Sequence, residues 1–382
     1  VTMRRHIEGT NDLEPIVKWP GGKEKELQHI VDNAPMHFET FYEPFVGGGS
    51  VFMAIQADHY MINDFSTELI NLYHYIQNQD ADFYRYVQGM NTTWNNVENF
   101  FNQHCDYLSE LYVNYRTDII NYAELVQQID AFVNRHEEEL TLLLSVIQQS
   151  SEIFISEIKR NSKDKMKRMK KIETDKGELC NDDLHDNIET SLKASVYMYY
   201  RTLYNRNNAE RPIALQTALF FFLRNFAYSG MFRFSKKGDF NVPYGGIAYN
   251  SKHLSHKLNY YQNENVIAHF ANTGIFNLDF EQFLTNNPPT PNDFVFLDPP
   301  YDSEFSTYDQ NEFGRRDQER LANYLINECQ GQWLMIIKYT EFIYNLYANH
   351  PGINILNFDK EYIVSFMNRN DKNVTHLIIK NY

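Results

Sequence analysis

The chain has 382 residues, too many for one ordinary core, so two domains or one domain carrying an insertion are expected. Its net charge of −15 means that any binding of polyanions must rest on a locally basic face. The three cysteines (Cys105, Cys180, Cys329) are far apart and form no CxxC, which excludes a disulfide framework and points to a reducing cytosol. No metal site is expected: His136 precedes Glu137, Glu138 and Glu139, but no second histidine follows at a ligand offset. No signal peptide and no apolar run of about 18 residues is visible, so no membrane association is expected and the cytoplasm is the expected location.

Residues 1–15 read as a loosely held arm. Residues 16–75 read as strand, glycine turn and helix units. Residues 76–210 are polar, nearly free of Gly and Pro, and helical in period. Tyr122, Leu125, Ile129, Phe132 and Val133 form one apolar face, and Leu140, Leu143, Leu144 and Ile147 another, which predicts a helical hairpin from about 107 to 160. Between Lys159 and Lys171 stand eight basic residues and one acid, Asp164, and acids dominate from Glu173 to Glu189. Such a run is expected to be a solvated loop, with a phosphate-contacting arm as the functional alternative. Residues 211–250 predict a helix and then a β-hairpin. Strands are predicted at Val266–His269, Phe294–Asp298, Trp333–Lys338, Ile353–Phe358 and Thr375–Ile379.

The predicted fold class is α/β. A Rossmann-like sheet with helices on both faces (1–75 and 264–382) is split by a mostly helical insert carrying the hairpin (76–263).

Phe41-Tyr42-Glu43-Pro44-Phe45-Val46-Gly47-Gly48-Gly49-Ser50 reads as a strand ending in a glycine turn that opens a helix over 51–55. Glycine lets backbone approach a ligand closely. Position 52 is Phe, so the dinucleotide fingerprint is incomplete, and no P-loop lysine follows. One unit later, Met61-Ile62-Asn63-Asp64 ends a strand in an acid where ribose hydroxyls are commonly held, although Asp64 could equally cap the next helix. Glu43 is placed to face the charged end of a ligand. Upstream, Lys18-Trp19-Pro20-Gly21-Gly22-Lys23 is a turn with two lysines and an indole, suited either to solvent or to an anionic or planar ligand.

The strongest local signal is Phe294-Val295-Phe296-Leu297-Asp298-Pro299-Pro300-Tyr301. Four apolar residues make a buried strand, and two prolines stop it. Asp298 then lies at the strand's carboxyl end, where open α/β sheets bind ligands. The array suits transfer to an aromatic amine, a poor nucleophile whose lone pair is delocalised into its ring. The Asp298 carboxylate and the Pro299 carbonyl could each accept one amino hydrogen, Pro299 and Pro300 would hold them rigid, and Tyr301 could stack on an extruded base.

These blocks, with Arg233 to Gly245 and in this order, resemble the adenine-N6 amino-methyltransferases of the alpha group, the Dam-like family, over about residues 16–75 and 215–382. The resemblance implies S-adenosyl-L-methionine as cofactor and transfer to N6 of a flipped adenine in double-stranded DNA. It implies cofactor contacts from Trp19, Lys23, Asp64 and Asp298 and from backbone near Phe45 and Gly47. Glu43 and Gly49 belong to the same turn. Asp279 and Phe280, in a segment similar to the family's strand-and-turn before Asp-Pro-Pro-Tyr, are the candidates around the cofactor adenine.

The DNA side falls on Lys18, Tyr228, Arg233, Lys236, Lys237 and Asn241, with Phe232 and Phe234 interleaved. The family more often has Asn-Gly-Leu where Ser229-Gly230-Met231 stands here. After Tyr301, residues 302–310 are expected to order over the base, with Tyr308 adding stacking. A monomer is expected, paired with a cognate restriction endonuclease if it serves a restriction-modification system and otherwise alone. RNA adenine, cytosine N4, protein glutamine or an inactive DNA-binding module are the alternatives. The Lys-Trp-Pro-Gly-Gly-Lys block and intact Asp298 and Tyr301 argue against them.

Overall fold

The computed structural model describes residues 10–147, 150–206, 210–301, 313–361 and 373–382, the side chains of 176, 358–361 and 373–374 excepted. Contacts divide the chain into two compact units. One comprises the described residues up to Asn78 and from Tyr261 onward, the other Gln79–Tyr260.

The first unit is built on strands β1 (Thr40–Glu43), β2 (His59–Asn63), β3 (Thr273–Phe276), β4 (Phe294–Leu297), β5 (Gln332–Lys338), β6 (Asn354–Glu361) and β7 (Asn373–Lys380). They form one sheet in the order β3-β2-β1-β4-β5-β7-β6. β1 is parallel to β2 and β4, and β4 to β5, whereas β7 runs antiparallel to both β5 and β6. All four residues of β4 are buried, as a strand covered on both faces requires. The order reverses between β1 and β4, and a crevice outside the carboxyl ends of such strands is where doubly wound sheets bind ligands. Glu43 ends β1 and Asp298 follows β4, so the two predicted site acids stand at the reversal.

Helices α1 (Leu27–Asn33) and α2 (Thr67–Gln77) belong to this unit. The second unit holds α3 (Ala81–Arg116), α4 (Tyr122–Arg135), α5 (Glu137–Leu142), α6 (Ser151–Lys176), α7 (Asn181–Asn205) and α8 (Ile213–Phe226). Helix α9 (Ser255–Tyr261) leads back to α10 (Glu264–Ala271), α11 (Phe280–Asn286), α12 (Arg315–Asn327) and α13 (Glu341–Tyr347). Asp80 caps α3 by accepting from Phe83 N at 2.8 Å, and its 36 residues carry Trp94 into the core between Phe222, Phe226 and Tyr244. Lys193 is fully buried and is matched by Glu98 and Glu189, both at 2.8 Å, because an unpaired buried ammonium would be costly.

Five expectations are corrected. Val266–His269 is helix α10, not a strand: Asn263 caps it, and Val266, His269 and Phe270 recur at helical spacing, so the strand begins only at Thr273. Residues 107–160 are not a simple hairpin, because α3 continues unbroken to Arg116 and α4, α5 and α6 follow. The basic run Lys159–Lys171 is helix, and its charges are partly met by Asp130 on Lys163 at 2.6 Å, by Glu157 on Arg160 and by Asp118 on Lys170. Residues 51–55 make one helical turn rather than a helix. Residues 10–15 are also tied down, with Asn11 N donating to Ala54 O at 2.6 Å.

Candidate active site

The glycine turn at the end of β1 is shaped by what lies against it. A Cβ on Gly48 would come within 2.2 Å of the Val17 carbonyl, so only glycine lets the 17–19 segment cross so closely. Gly49 has φ of +78°, and a Cβ there would meet the Tyr73 hydroxyl at 2.5 Å. That hydroxyl donates to Gly47 O at 3.0 Å. Trp19 rests on the same glycines, while Lys18 beside it is exposed.

Asn63 lashes three strand ends together. Its amide donates to Pro44 O and Leu278 O, both at 3.0 Å, and its carbonyl accepts from Leu278 N at 2.9 Å. Asp64 accepts from Gly47 N and Ser66 N, both at 2.9 Å, and Ser66 takes the cap position of α2. Asp64, half-buried, therefore braces the glycine turn.

Lys23 is 1% exposed and its ammonium is paired with Asp298. It also donates to Gly21 O at 2.8 Å and sits 5.6 Å from the Tyr301 ring centroid, while its backbone N–H donates to Ser50 Oγ at 3.0 Å. Glu43 is 2% exposed, and its Oε2 has no hydrogen-bond partner among the described residues. Burial, reinforced by Asp298, pushes its pKa well above the ordinary carboxylate range; the Phe52 N–H and Lys23 pull the other way. Burial likewise raises Asp64, against the hydrogen bonds it accepts.

Behind the turn, Phe45 packs on Phe280 and Phe313, both at 5.6 Å. Asp279 caps α11 and is held by Arg320 at 2.6 Å, whose guanidinium also lies over Phe280. Tyr301 is half-buried, with its hydroxyl 3.2 Å from His376 Nε2. Residues 302–310, including Tyr308, lie outside the described residues.

The DNA-side candidates belong to the second unit, Lys18 apart. The predicted hairpin is present, closed by bridges Phe234↔Phe240 and Ala227↔Tyr244 rather than by a continuous ladder. Phe232 and Phe240 are buried at 4.8 Å. Arg233, Lys236 and Lys237 are exposed, and Arg233 Nε donates to Asn241 Oδ1 at 2.9 Å. Tyr228 is exposed too, and Ser229 beside it holds a left-handed φ of 53°, a conformation that Asn adopts more readily than Ser.

The sequence profile of the D12 class N6 adenine-specific DNA methyltransferases matches residues 19–363. The chain belongs to this family. A relative named type II methyltransferase M.CviBI, from Paramecium bursaria Chlorella virus NC1A, is 25% identical over 376 residues, covering 97% of this chain and 100% of its own length. Type II methyltransferase M.MjaIII of Methanocaldococcus jannaschii is 24% identical, covering 82% of this chain and 79% of its own length. DNA adenine methylase of Escherichia coli K12 is 22% identical, covering 80% and 73%. The chain is thus an enzyme of N6 adenine methylation in DNA.

Two neighbours of the Asp-Pro-Pro-Tyr segment escaped the sequence reading. Gln318, fully buried on α12, donates from Nε2 to Pro300 O at 2.9 Å. His376, fully buried on β7, meets the Tyr301 hydroxyl. Neither stands in a recognisable motif, because each reaches the segment only through the sheet's topology.

Proposed function

We propose that this D12-class methyltransferase binds S-adenosyl-L-methionine in the crevice at the carboxyl ends of β1 and β4 and methylates an adenine turned out of duplex DNA. The carrying observation is Glu43 Oε2, a buried carboxylate oxygen beside the glycine turn that has no hydrogen-bond partner among the described residues. The charges acting on Glu43 are the carboxylates of Asp298 and Asp64 and the ammonium of Lys23, a balance that favours a cationic ligand. The donor set fits: Glu43 for the methionine ammonium, Asp64 for ribose hydroxyls, backbone at Gly47 and Gly49 for close approach, and Trp19, Phe45, Asp279 and Phe280 around the purine.

When bound, the cofactor supplies a methyl group on a sulfonium. Asp298 accepts one N6 hydrogen and the Pro299 carbonyl the other, which localises the nitrogen lone pair towards the methyl carbon. Asp298, already hydrogen-bonded to the amine, would take up the proton that the nitrogen loses on methylation. Tyr301 stacks on the adenine, held by His376, and Gln318 anchors the Pro300 carbonyl. Lys23 orients Asp298. Lys18, Tyr228, Arg233, Lys236, Lys237 and Asn241 contact DNA.

The reading is of a monomer in the cytoplasm, partnered by a cognate endonuclease where it serves restriction-modification. The test is calorimetric titration with the cofactor, followed by digestion of treated duplex DNA and mass spectrometry of nucleosides. Saturable binding and N6-methyladenine are expected, and Asp298→Ala should bind cofactor yet yield no product. Full activity of Asp298→Ala would refute its assigned role, and absence of cofactor binding would refute the crevice.

A further inference from the structure

In the helical unit, three side chains that have no part in methyl transfer converge. His104 lies on α3, His136 at the junction of α4 and α5, and Glu139 in the first turn of α5. Glu139 Oε2 is 2.8 Å from His136 Nδ1 and 3.9 Å from His104 Nε2. One ligand atom from each lies within 4.8 Å of the others.

An i,i+3 contact between His136 and Glu139 would be ordinary at a helix start. It leaves the third member unexplained. His104 comes from a different helix and aims its Nε2 at the same carboxylate oxygen, at a distance too long for a direct hydrogen bond. Tetrahedral metal sites with bonds of about 2.0–2.1 Å separate their ligand atoms by about 3.3 Å. The two distances to Glu139 bracket that value, so small rotations of a carboxylate side chain that is 42% exposed would satisfy both. Aromatic packing fixes the imidazoles. Phe100 lies 4.5 Å from His104, Phe132 lies 4.7 Å from His136, and Tyr107 stacks on Phe132 at 5.2 Å. The two imidazole side chains are each 21% exposed, so an ion and its water can reach them.

We propose that His104, His136 and Glu139 bind one divalent first-row transition metal ion of the zinc type, with water completing its coordination. Two imidazoles and one carboxylate suit zinc or nickel better than magnesium, which prefers oxygen ligands. The ion would tie α3 to the start of α5. A ligand that binds only the folded unit also raises its stability.

The test uses the full chain stripped with a chelator, then titrated with Zn²⁺ by calorimetry and with Co²⁺ by visible absorption. One ion per chain is expected, together with a rise in unfolding temperature on adding Zn²⁺ but not Mg²⁺. His104→Asn and Glu139→Gln should each weaken uptake by at least about tenfold and remove that rise, with unchanged far-ultraviolet circular dichroism. Cys105→Ser should leave binding as it was. Equal Zn²⁺ affinity in wild type and Glu139→Gln would overturn the proposal, as would a cobalt–thiolate charge-transfer band lost with Cys105→Ser. Should His104→Asn not fold, the more exposed Glu139 decides.

Discussion

The Lys23 ammonium, almost wholly shut off from solvent, is paired with the carboxylate of Asp298, 275 residues further along the chain. The same lysine donates to Gly21 O and lies near the Tyr301 ring. One side chain thus joins the Trp19–Gly22 turn to the Asp-Pro-Pro-Tyr segment and holds the Asp298 carboxylate in place. Lys23→Met should lower kcat by roughly a hundredfold, with a smaller change in KM for DNA. Because the two residues act as a unit, Lys23→Met with Asp298→Asn should be little worse than Asp298→Asn alone. Additive losses in single-turnover rates would separate them. Leaving Asp298 without its buried partner should also cost about 3 kcal/mol in urea unfolding.

Glu43 supplies a pH signature. Folding raises its pKa well above 4.5, chiefly by burial. A carboxyl raised in this way contributes stability that is fully present below its unfolded pKa and is lost as pH rises through the folded one. Wild type should therefore lose stability as pH climbs from the ordinary carboxylate range into the raised one. Glu43→Gln should lack that loss, so its melting temperature gains on wild type with rising pH. A gap that stays constant with pH would remove Glu43 as the cause.

His269 predicts the opposite slope. It is packed between Phe52 and Tyr60 behind the glycine turn, and its Nε2 has no hydrogen-bond partner among the described residues. Burial pushes its pKa from 6.5 down to about 4. A depressed histidine contributes stability that is present above its unfolded pKa and is lost as pH falls through the folded one. Between pH 6.5 and about 4 the loss should be on the order of 3 kcal/mol. His269→Phe should show a flatter acid limb in denaturant unfolding monitored across that range.

Gln318 acts through backbone. Its Nε2–H fixes the Pro300 carbonyl, one peptide from Tyr301. Gln318→Leu should keep cofactor affinity and lower the single-turnover rate by roughly tenfold, since a misplaced Tyr301 slows transfer without touching the cofactor. Gln318→Met, which keeps the approximate shape but has no donor, should behave likewise. Unchanged rates in both variants would reduce Gln318 to packing.

What the sequence made legible was local. β4 could be read because four apolar residues run into two prolines, and the glycine turn because its backbone conformations and contacts admit no side chain. The reversal of strand order between β1 and β4 was not legible, because pairing between segments as far apart in the chain as Phe41 and Phe294 is set by the packing of the whole sheet and not by any local pattern. Val266–His269 misled because a short apolar run has no decisive period, and the Asn263 cap settles it as helix. The Lys159–Lys171 run misled because its counter-charges, Asp118 and Asp130, come from other segments. Gln318, His376 and Arg320 were invisible for the same reason, since each meets the site across the sheet or between helices.

Arg233 carries the last prediction. Asn241 takes its Nε–H, which orients the exposed guanidinium on a hairpin whose Phe232 and Phe240 are buried. A guanidinium held this way is poised for phosphate or guanine. Arg233→Ala should weaken DNA binding by roughly tenfold or more while cofactor affinity stays constant. If the partner is a phosphate, the loss is uniform across sequences and the salt slope falls by about one. If it is a base edge, discrimination fails at one position instead. Asn241→Ala should give a smaller loss of the same kind, because it removes only the orienting acceptor. Equal losses of DNA and cofactor affinity in Arg233→Ala would mean that the hairpin supports the fold rather than the duplex.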